Sequence, residues 1–225
     1  ILMLYIIMKL LYFIILCIVL WTLYHFYIMY KFRFWGRQPV FHYHYLTYWL
    51  KPPKIIHSKH FKSSSFLSDS LDYESFQSCS KERKEQISYL IINHFYRTKD
   101  GNYNPEPESI FDIWTDDDTM LSSTNLLEDG VLGIGSFISS CGYNMKLHND
   151  KYALRYVDYL CTHSELRKRG LTEKLIYSLA YNDFHKRENK IFLFKKEYSL
   201  QKYVPFLHYN TSCFKWNPQT LNVIK

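Results

Sequence analysis

The chain has 225 residues, of which 47% are hydrophobic and 22% charged, and its formal net charge is +7. That apolar content excludes a disordered or fibrous chain and suffices for one cored domain with an appendage. The positive charge invites a nucleic-acid partner, but the basic residues are scattered and the abundant aromatics follow the overall composition, so none is expected.

From Leu10 to Tyr30 no charged side chain interrupts the chain. At about 1.5 Å per residue such a run crosses a hydrocarbon core of roughly 30 Å, so a single membrane span is predicted over residues 1–31. Trp21, Tyr24, Tyr27 and Tyr30 gather toward one end, as interfacial aromatics do, and no small-residue cleavage site follows. Lys9 precedes the run whereas Lys31, Arg33 and Arg37 follow it, which puts the folded part, residues 32–225, on the cytosolic side. A start as late as Met29 is the alternative.

Cys17, Cys79, Cys141, Cys161 and Cys213 are odd in number, widely spaced and without a C-x-x-C pair, so reduced thiols are expected, with neither a disulfide framework nor a zinc site. His42, His44, His57 and His60 lack carboxylate or thiol companions at a ligand spacing, and no metal is expected there. The serine-rich run from Ser63 to Ser80 reads as a surface connection. Ser80 is then the N-cap of a helix over about residues 81–95, with Ile87, Leu90, Ile91 and Phe95 on its apolar face and Lys81 to Glu85 solvated. Asp100-Gly101-Asn102 and the prolines at 105 and 107 mark a loop. Asp116-Asp117-Asp118 reads as a solvent-facing helix start, since adjacent side chains do not converge on one ion.

Two strands are predicted at residues 131–139 and 143–147, with Gly133, Gly135 and Gly142 marking weak points or bulges. Asn149-Asp150 turns the chain into a strand that ends at Thr162. Its apolar run, Tyr156, Val157, Tyr159, Leu160 and Cys161, is broken only by Asp158. Arg167-Lys168-Arg169-Gly170 forms a basic turn, and Leu171, Leu175, Ile176 and Leu179 then recur at helical spacing. Amides at a helix start, beside three cations and a glycine, suit a pyrophosphate; a merely solvated basic turn is the alternative. A short strand over residues 191–194, one helical turn over 198–203 and a last strand over 213–216 complete the prediction.

The turn Arg167 to Thr172 resembles the R-x-x-G-x-(G/A) element with which acyl-CoA N-acyltransferases of the GNAT superfamily hold CoA phosphates. Thr172 stands where the last small residue is usual. More particularly, Tyr159-Leu160-Cys161-Thr162-His163, Leu166-Arg167, Leu171-Thr172 and Leu175-Ile176 resemble the FLCVH-x-x-LR-x-x-(R/G)-L-(T/A)-x-x-LI signature of N-myristoyltransferases. Phe34-Trp35-Gly36-Arg37-Gln38-Pro39-Val40 resembles their FW-x-TQPV segment, which lies over the acyl-CoA.

The resemblance spans about residues 32–218 and implies an α+β fold: a single GNAT domain, helices on a mixed sheet splayed in the middle. It implies acyl-CoA, myristoyl-CoA in particular, as co-substrate, and the N-terminal glycine amine of a peptide as acceptor. The amides of Tyr159 and Leu160 would form the oxyanion hole, and the strand end through Cys161 and Thr162 would flank the thioester. Arg33, Phe34 and Trp35 would cover the CoA, and Arg167, Lys168, Arg169, Gly170, Leu171 and Thr172 would bind its phosphates.

Members of that family have two tandem GNAT-like halves, the second completing the peptide groove and ending in a carboxylate base. This chain matches only the first. The TAG sequence after the penultimate strand is replaced by Phe194-Lys195-Lys196-Glu197, and the loop usually reading NENYVEDDD is matched only loosely by Tyr103, Glu106 and Glu108. Asp158, beside the oxyanion hole, is the best-placed substitute base, ahead of Glu165 and Glu197. The expectation is a membrane-anchored chain that binds a long acyl-CoA and transfers it poorly on its own, with a second subunit able to supply the missing half. An acyl-CoA-binding pseudoenzyme and an acetyl-CoA enzyme acting on a small amine are the rivals.

Overall fold

The computed structural model describes residues 2–40, 42, 45–50, 64–95, 97–98, 101–102, 104–112, 114, 119–128, 131–147, 149–187 and 191–195. The chain divides into two compact units, one of Ile1–Pro53 with Ser199–Lys225 and one of Lys54–Tyr198.

In the first unit, helix α1 (Leu2–Lys31) is long and apolar enough to cross a membrane. Its side chains are exposed almost throughout, with Ile28 the buried exception among the described residues. Past Lys31 the backbone reverses through a 3-10 turn at Trp35–Arg37 and reaches a single helical turn, α2 (Leu46–Trp49). Gly36 sits in the reversal. A β-carbon there would lie 3.3 Å from Met29 Sδ and 3.5 Å from Ile28 O, so the close return of the chain onto α1 favours glycine.

The second unit is a mixed sheet between two helices. Its five strands, β1 (Asp72–Ser75), β4 (Met120–Glu128), β5 (Val131–Leu147), β6 (Asp150–Thr162) and β7 (Phe192–Phe194), lie in the order β1-β4-β5-β6-β7. All neighbours are antiparallel except β6 and β7. Helix α3 (Lys81–His94) precedes a small antiparallel pair, β2 (Arg97–Thr98) and β3 (Gly101–Asn102), and α4 (Leu171–Arg187) is the crossover from β6 to parallel β7. One face of the sheet packs Leu121, Phe137, Cys141, Tyr159 and Cys161 against Ile87, Leu90 and Ile91 of α3. The other packs Met120, Ile138, Val157 and Leu160 against Leu175, Ile176 and Leu179 of α4.

Ser80 caps α3 as its position predicts, accepting a hydrogen bond from Arg83 N at 3.2 Å. The side chains expected to be solvated along that helix are not all so. Arg83 donates to Asp72, Ser123 and Asn125 at 2.7–2.9 Å, and Lys84 lies 3.9 Å over the Phe76 ring. The serine-rich connection holds a strand, β1, whose sequence Asp-Tyr-Glu-Ser has no apolar alternation to announce it. Strand β4 was likewise unannounced, and the two strands expected at 131–147 are one. Gly135 does mark a bulge: Thr124 pairs with Ser136 and Asn125 with Ile134, leaving Gly135 unmatched. The aspartate run at 116–118 and the elements expected beyond residue 195 lie outside the described residues.

A buried ion pair ties the layers together. Arg155 Nε lies 3.2 Å from Asp183 Oδ2, with both side chains almost wholly out of water. Ser140 Oγ donates to Asp183 Oδ2 at 2.7 Å and Tyr73 Oη to Asp183 Oδ1 at 2.6 Å, while Arg155 also donates to Ser140 O at 2.6 Å. Burial and the Asp183 charge push the Tyr73 phenol far above its ordinary range, so it acts as a permanent donor. Both oxygens of the carboxylate thus accept hydrogen bonds, as a charge tolerated in a core requires.

Candidate active site

The site grows from a conflict of phase in β6. A regular strand puts alternate residues on opposite faces, yet Val157 and Leu160 both pack on α4 while Tyr159 and Cys161 pack on α3. An extra residue resolves it: Phe137 pairs with Cys161 and Ser139 with Asp158, so Ile138 alone opposes Tyr159 and Leu160. Such a bulge bends the strand and breaks its ladder. Tyr159 takes the left-handed conformation, φ +48°, rare for a side-chain-bearing residue and costing roughly 1–3 kcal/mol. Packing offsets that cost. The Tyr159 ring is nearly buried, with Phe95 at 5.5 Å and Trp114 at 5.8 Å between centroids.

Asp158 opens the bulge. Its Oδ1 accepts the Tyr159 N–H at 2.8 Å, and its carbonyl accepts Ser139 Oγ at 3.1 Å. Burial pushes the Asp158 carboxyl above the ordinary range, opposed by the Tyr159 N–H bond and the charge of Lys195. One amide expected in an oxyanion hole is therefore already engaged, by the residue expected to act as base. Pairing between β6 and β7 ends at Val157 and Phe194, immediately before the bulge, so the two strands cease to be joined where the bend begins.

Cys161 points into the α3 core with 3% exposure, its thiol pushed up to about 12 by burial. A thiol so placed is neither nucleophile nor contact for a ligand, and only its backbone can face one. Thr162 ends the strand, and His163 N donates to Gly135 O at 2.8 Å. The missing side chain at Gly135 admits Leu166, whose Cδ1 would lie 2.6 Å from a β-carbon there.

Arg167 then closes a tie. It donates to Thr162 O at 3.2 Å and to His94 O, at the C-terminus of α3, at 2.8 Å. The His94 and His163 rings lie 4.1 Å apart between centroids, and each Nδ1 accepts a backbone N–H, from Ser164 and Glu165 respectively, at 3.4 Å. His94 was not singled out from the sequence, since nothing in its spacing links it to the turn.

Past Arg167 the turn is open. Lys168 (φ +65°) and Gly170 (φ +73°) are both left-handed, and nothing lies within 4 Å of a β-carbon on Gly170. Glycine is favoured there by its φ, not by space. Lys168, Arg169, Gly170 and Thr172 are exposed and Leu171 half-buried at the first turn of α4. First-turn amides, the positive end of the helix dipole and two exposed cations are the groups that would suit an anion such as a pyrophosphate.

The structure thus brings Asp158 to Thr172 together on one bulged strand, one tied corner and one helix start. Arg33, Phe34 and Trp35 belong to the first unit. There Phe34 is buried with 4% exposure, Trp35 packs edge-on to it at 5.0 Å, and the Arg33 guanidinium lies 5.6 Å over the Tyr30 ring. No group of three or more His, Cys, Asp or Glu side chains that could hold a metal ion occurs among the described residues. An apolar hollow of about 510 Å³, lined by Tyr143, Met145, Leu154, Tyr156 and Leu193, opens two residues from Asp158. By strand alternation Tyr156 and Asp158 share a face.

No protein-family model matches the sequence, and no curated protein sequence matches it significantly. Among solved structures, Saccharomyces cerevisiae N-myristoyltransferase with bound myristoyl-CoA aligns with a TM-score of 0.54 at 19% identity, over 75% of this chain and 41% of that protein. The same enzyme with myristoyl-CoA and inhibitors gives 0.51 at 18% identity, over 75% and 40%. An aminoglycoside acetyltransferase from an uncultured soil metagenomic sample is a weaker likeness, with a TM-score of 0.42 at 14% identity, over 64% and 98%. The chain spans about two fifths of the length of the yeast enzyme. At these identities the likeness is one of fold: the chain shares an α+β fold with part of the yeast enzyme.

Proposed function

We propose that the chain is a membrane-anchored acyl-CoA N-acyltransferase of the N-myristoyltransferase kind, passing an acyl group from CoA to the N-terminal glycine amine of a peptide. The observation that carries this reading is the continuity of the left-handed bulge at Tyr159 with the cationic turn at the start of α4. The two are spaced along one stretch that would hold both ends of a CoA thioester.

In this reading Lys168, Arg169 and the first amides of α4 bind the pyrophosphate, with Arg167 holding the corner rigid. The thioester carbonyl lies at the bulge. Asp158 takes one proton from the acceptor ammonium, and the free amine attacks the carbonyl carbon. Negative charge moves onto the carbonyl oxygen, held by the Leu160 N–H and, once Asp158 has turned from it, by the Tyr159 N–H. Collapse breaks the C–S bond, and the departing CoA thiolate takes the second amine proton. An oxyanion donor of this kind contributes about 3–4 kcal/mol to the transition state. The acceptor would approach over the hollow beside Tyr156.

The test is acyl transfer from myristoyl-CoA to a glycine-terminated octapeptide by the full chain in nanodiscs, beside binding of the CoA ester alone. Tight binding with slow transfer is expected, because a thioester without a positioned amine forgoes an orientation advantage of roughly 7–11 kcal/mol. Turnover near one per second, ordinary for a competent enzyme, would refute the expectation of slow transfer. Absence of CoA binding would refute all of it.

A second reading, transfer of a short acyl group to a small amine, is favoured by the rings packed beneath Tyr159. Phe95, Trp114 and Phe137 fill that side of the bulge, where a long chain would need depth. Competition between acetyl-CoA and myristoyl-CoA separates the two: preference for acetyl-CoA would favour the second.

A further inference from the structure

Residues 38–50, Gln-Pro-Val-Phe-His-Tyr-His-Tyr-Leu-Thr-Tyr-Trp-Leu, carry no Asp, Glu, Lys or Arg and are bounded by Arg37 and Lys51. An apolar stretch of that length is too short to span a bilayer, and its aromatic content matches the belt at a membrane boundary. The backbone does not lead it away from α1. Gly36 packs on Ile28 and Met29, and farther along the Tyr45 ring packs edge-on to His25, 5.4 Å between centroids. His25 in turn stacks on Trp21 at 5.9 Å. Gly36 thus lies beside Met29, and Tyr45 beside His25, farther back along the helix. At about 1.5 Å per residue, that contact lies roughly 9 Å inside the level of Lys31.

We propose that the described residues of this stretch, 38–40, 42 and 45–50, form a re-entrant aromatic anchor that lies in the lipid interface beside α1, with Leu50 facing lipid. The proposal rests on α1 spanning a membrane. Lys31, Arg33 and Arg37 mark the headgroup level at the end of α1, and a segment that returns past them toward His25 meets the boundary between headgroups and acyl chains. Leu50 is 85% exposed in the protein, a large apolar side chain with water as the alternative to lipid. Depth is limited by the backbone. The single turn of α2 leaves neighbouring peptide groups outside regular structure, and hydrocarbon offers them no hydrogen bonds, so the interface is as deep as the segment goes. A hydrogen-bonded run, Gln38 Nε2 to Phe34 O at 3.3 Å and His42 Nε2 with Gln38 O at 3.1 Å, fastens the start of the return.

The test places the photoreactive residue p-benzoylphenylalanine at Leu50, and separately at Leu20 within α1, in the full chain reconstituted in phosphatidylcholine vesicles. Lipid adducts are read by mass spectrometry. Adducts at both positions, with that at Leu50 mapping near the glycerol end of the acyl chain, are the expected result. Adducts at Leu20 with none at Leu50 would overturn the re-entrant anchor and leave the span standing. None at Leu20 would overturn the span and the anchor together.

Discussion

Tyr159 shows how a single residue can organise a site and stay invisible in a sequence. A glycine at a left-handed position announces itself, as Gly170 does; a tyrosine does not, because its φ is imposed by rings from α3 and the following loop rather than by its own preference. Asp158 was legible as a carboxylate beside the expected oxyanion hole, but neither the bulge nor its bond to the Tyr159 N–H was. Its raised carboxyl has a consequence with a definite sign. The native chain keeps this proton to a higher pH than the unfolded chain, so ionisation of Asp158 costs stability as pH rises from about 3.9 through the raised native value. Asp158→Asn is therefore expected to gain in thermal stability relative to the parent across that window, read by melting scans at pH 4 and pH 7; a difference flat in pH would contradict it. In acyl transfer the same substitution should abolish the acidic limb of the pH–rate profile. Cys161, buried with its thiol near 12, should resist iodoacetamide at pH 8 in the folded chain, and peptide mapping of the alkylated protein checks this.

Helices were easier to read than strands, for reasons that lie in their edges. Ser80 capping α3 and the leucine spacing of α4 are local signals. Strand β1 has no alternation of its own and exists because Asp72 and Glu74 meet Arg83 of α3 and its backbone pairs with β4. Strand β5 was split at Gly142, yet Gly142 pairs with Arg155, whose buried side chain holds the two strands through Ser140. Arg155→Met alone should cost about 3–5 kcal/mol by stranding the Asp183 carboxylate. Arg155→Met with Asp183→Leu should recover part of that loss, as chemical denaturation of each would show. The basic turn divides along the same line between structure and binding. Arg167 joins the strand end to α3, so Arg167→Glu should lower both melting temperature and CoA affinity. Arg169 touches nothing comparable among the described residues, and Arg169→Glu should weaken CoA binding alone. Calorimetric titration beside a melting scan of each variant separates the two.

At the scale of the molecule, a helix able to cross a membrane and a fold shared with part of yeast N-myristoyltransferase occur in one chain, and α1 is the part the sequence announced most plainly. If α1 spans, carbonate extraction should leave the full chain with the membrane fraction. The sheet has a further property, which concerns time. Strands β5 and β6 are joined by a two-residue turn, since Leu147 pairs with Asp150, and they form a local hairpin of the kind that closes in about 1–10 μs. Strand β7 is only three residues long and can join β6 in parallel only after α4 has formed and docked. Tyr159 thus sits between an early-closing hairpin and a late, short seam. Amide hydrogens in the hairpin should be the slowest to exchange with deuterium, and those of Phe192–Phe194 should exchange well before them, through openings too small to unfold the domain. The seam that borders the bulge is the one that breathes.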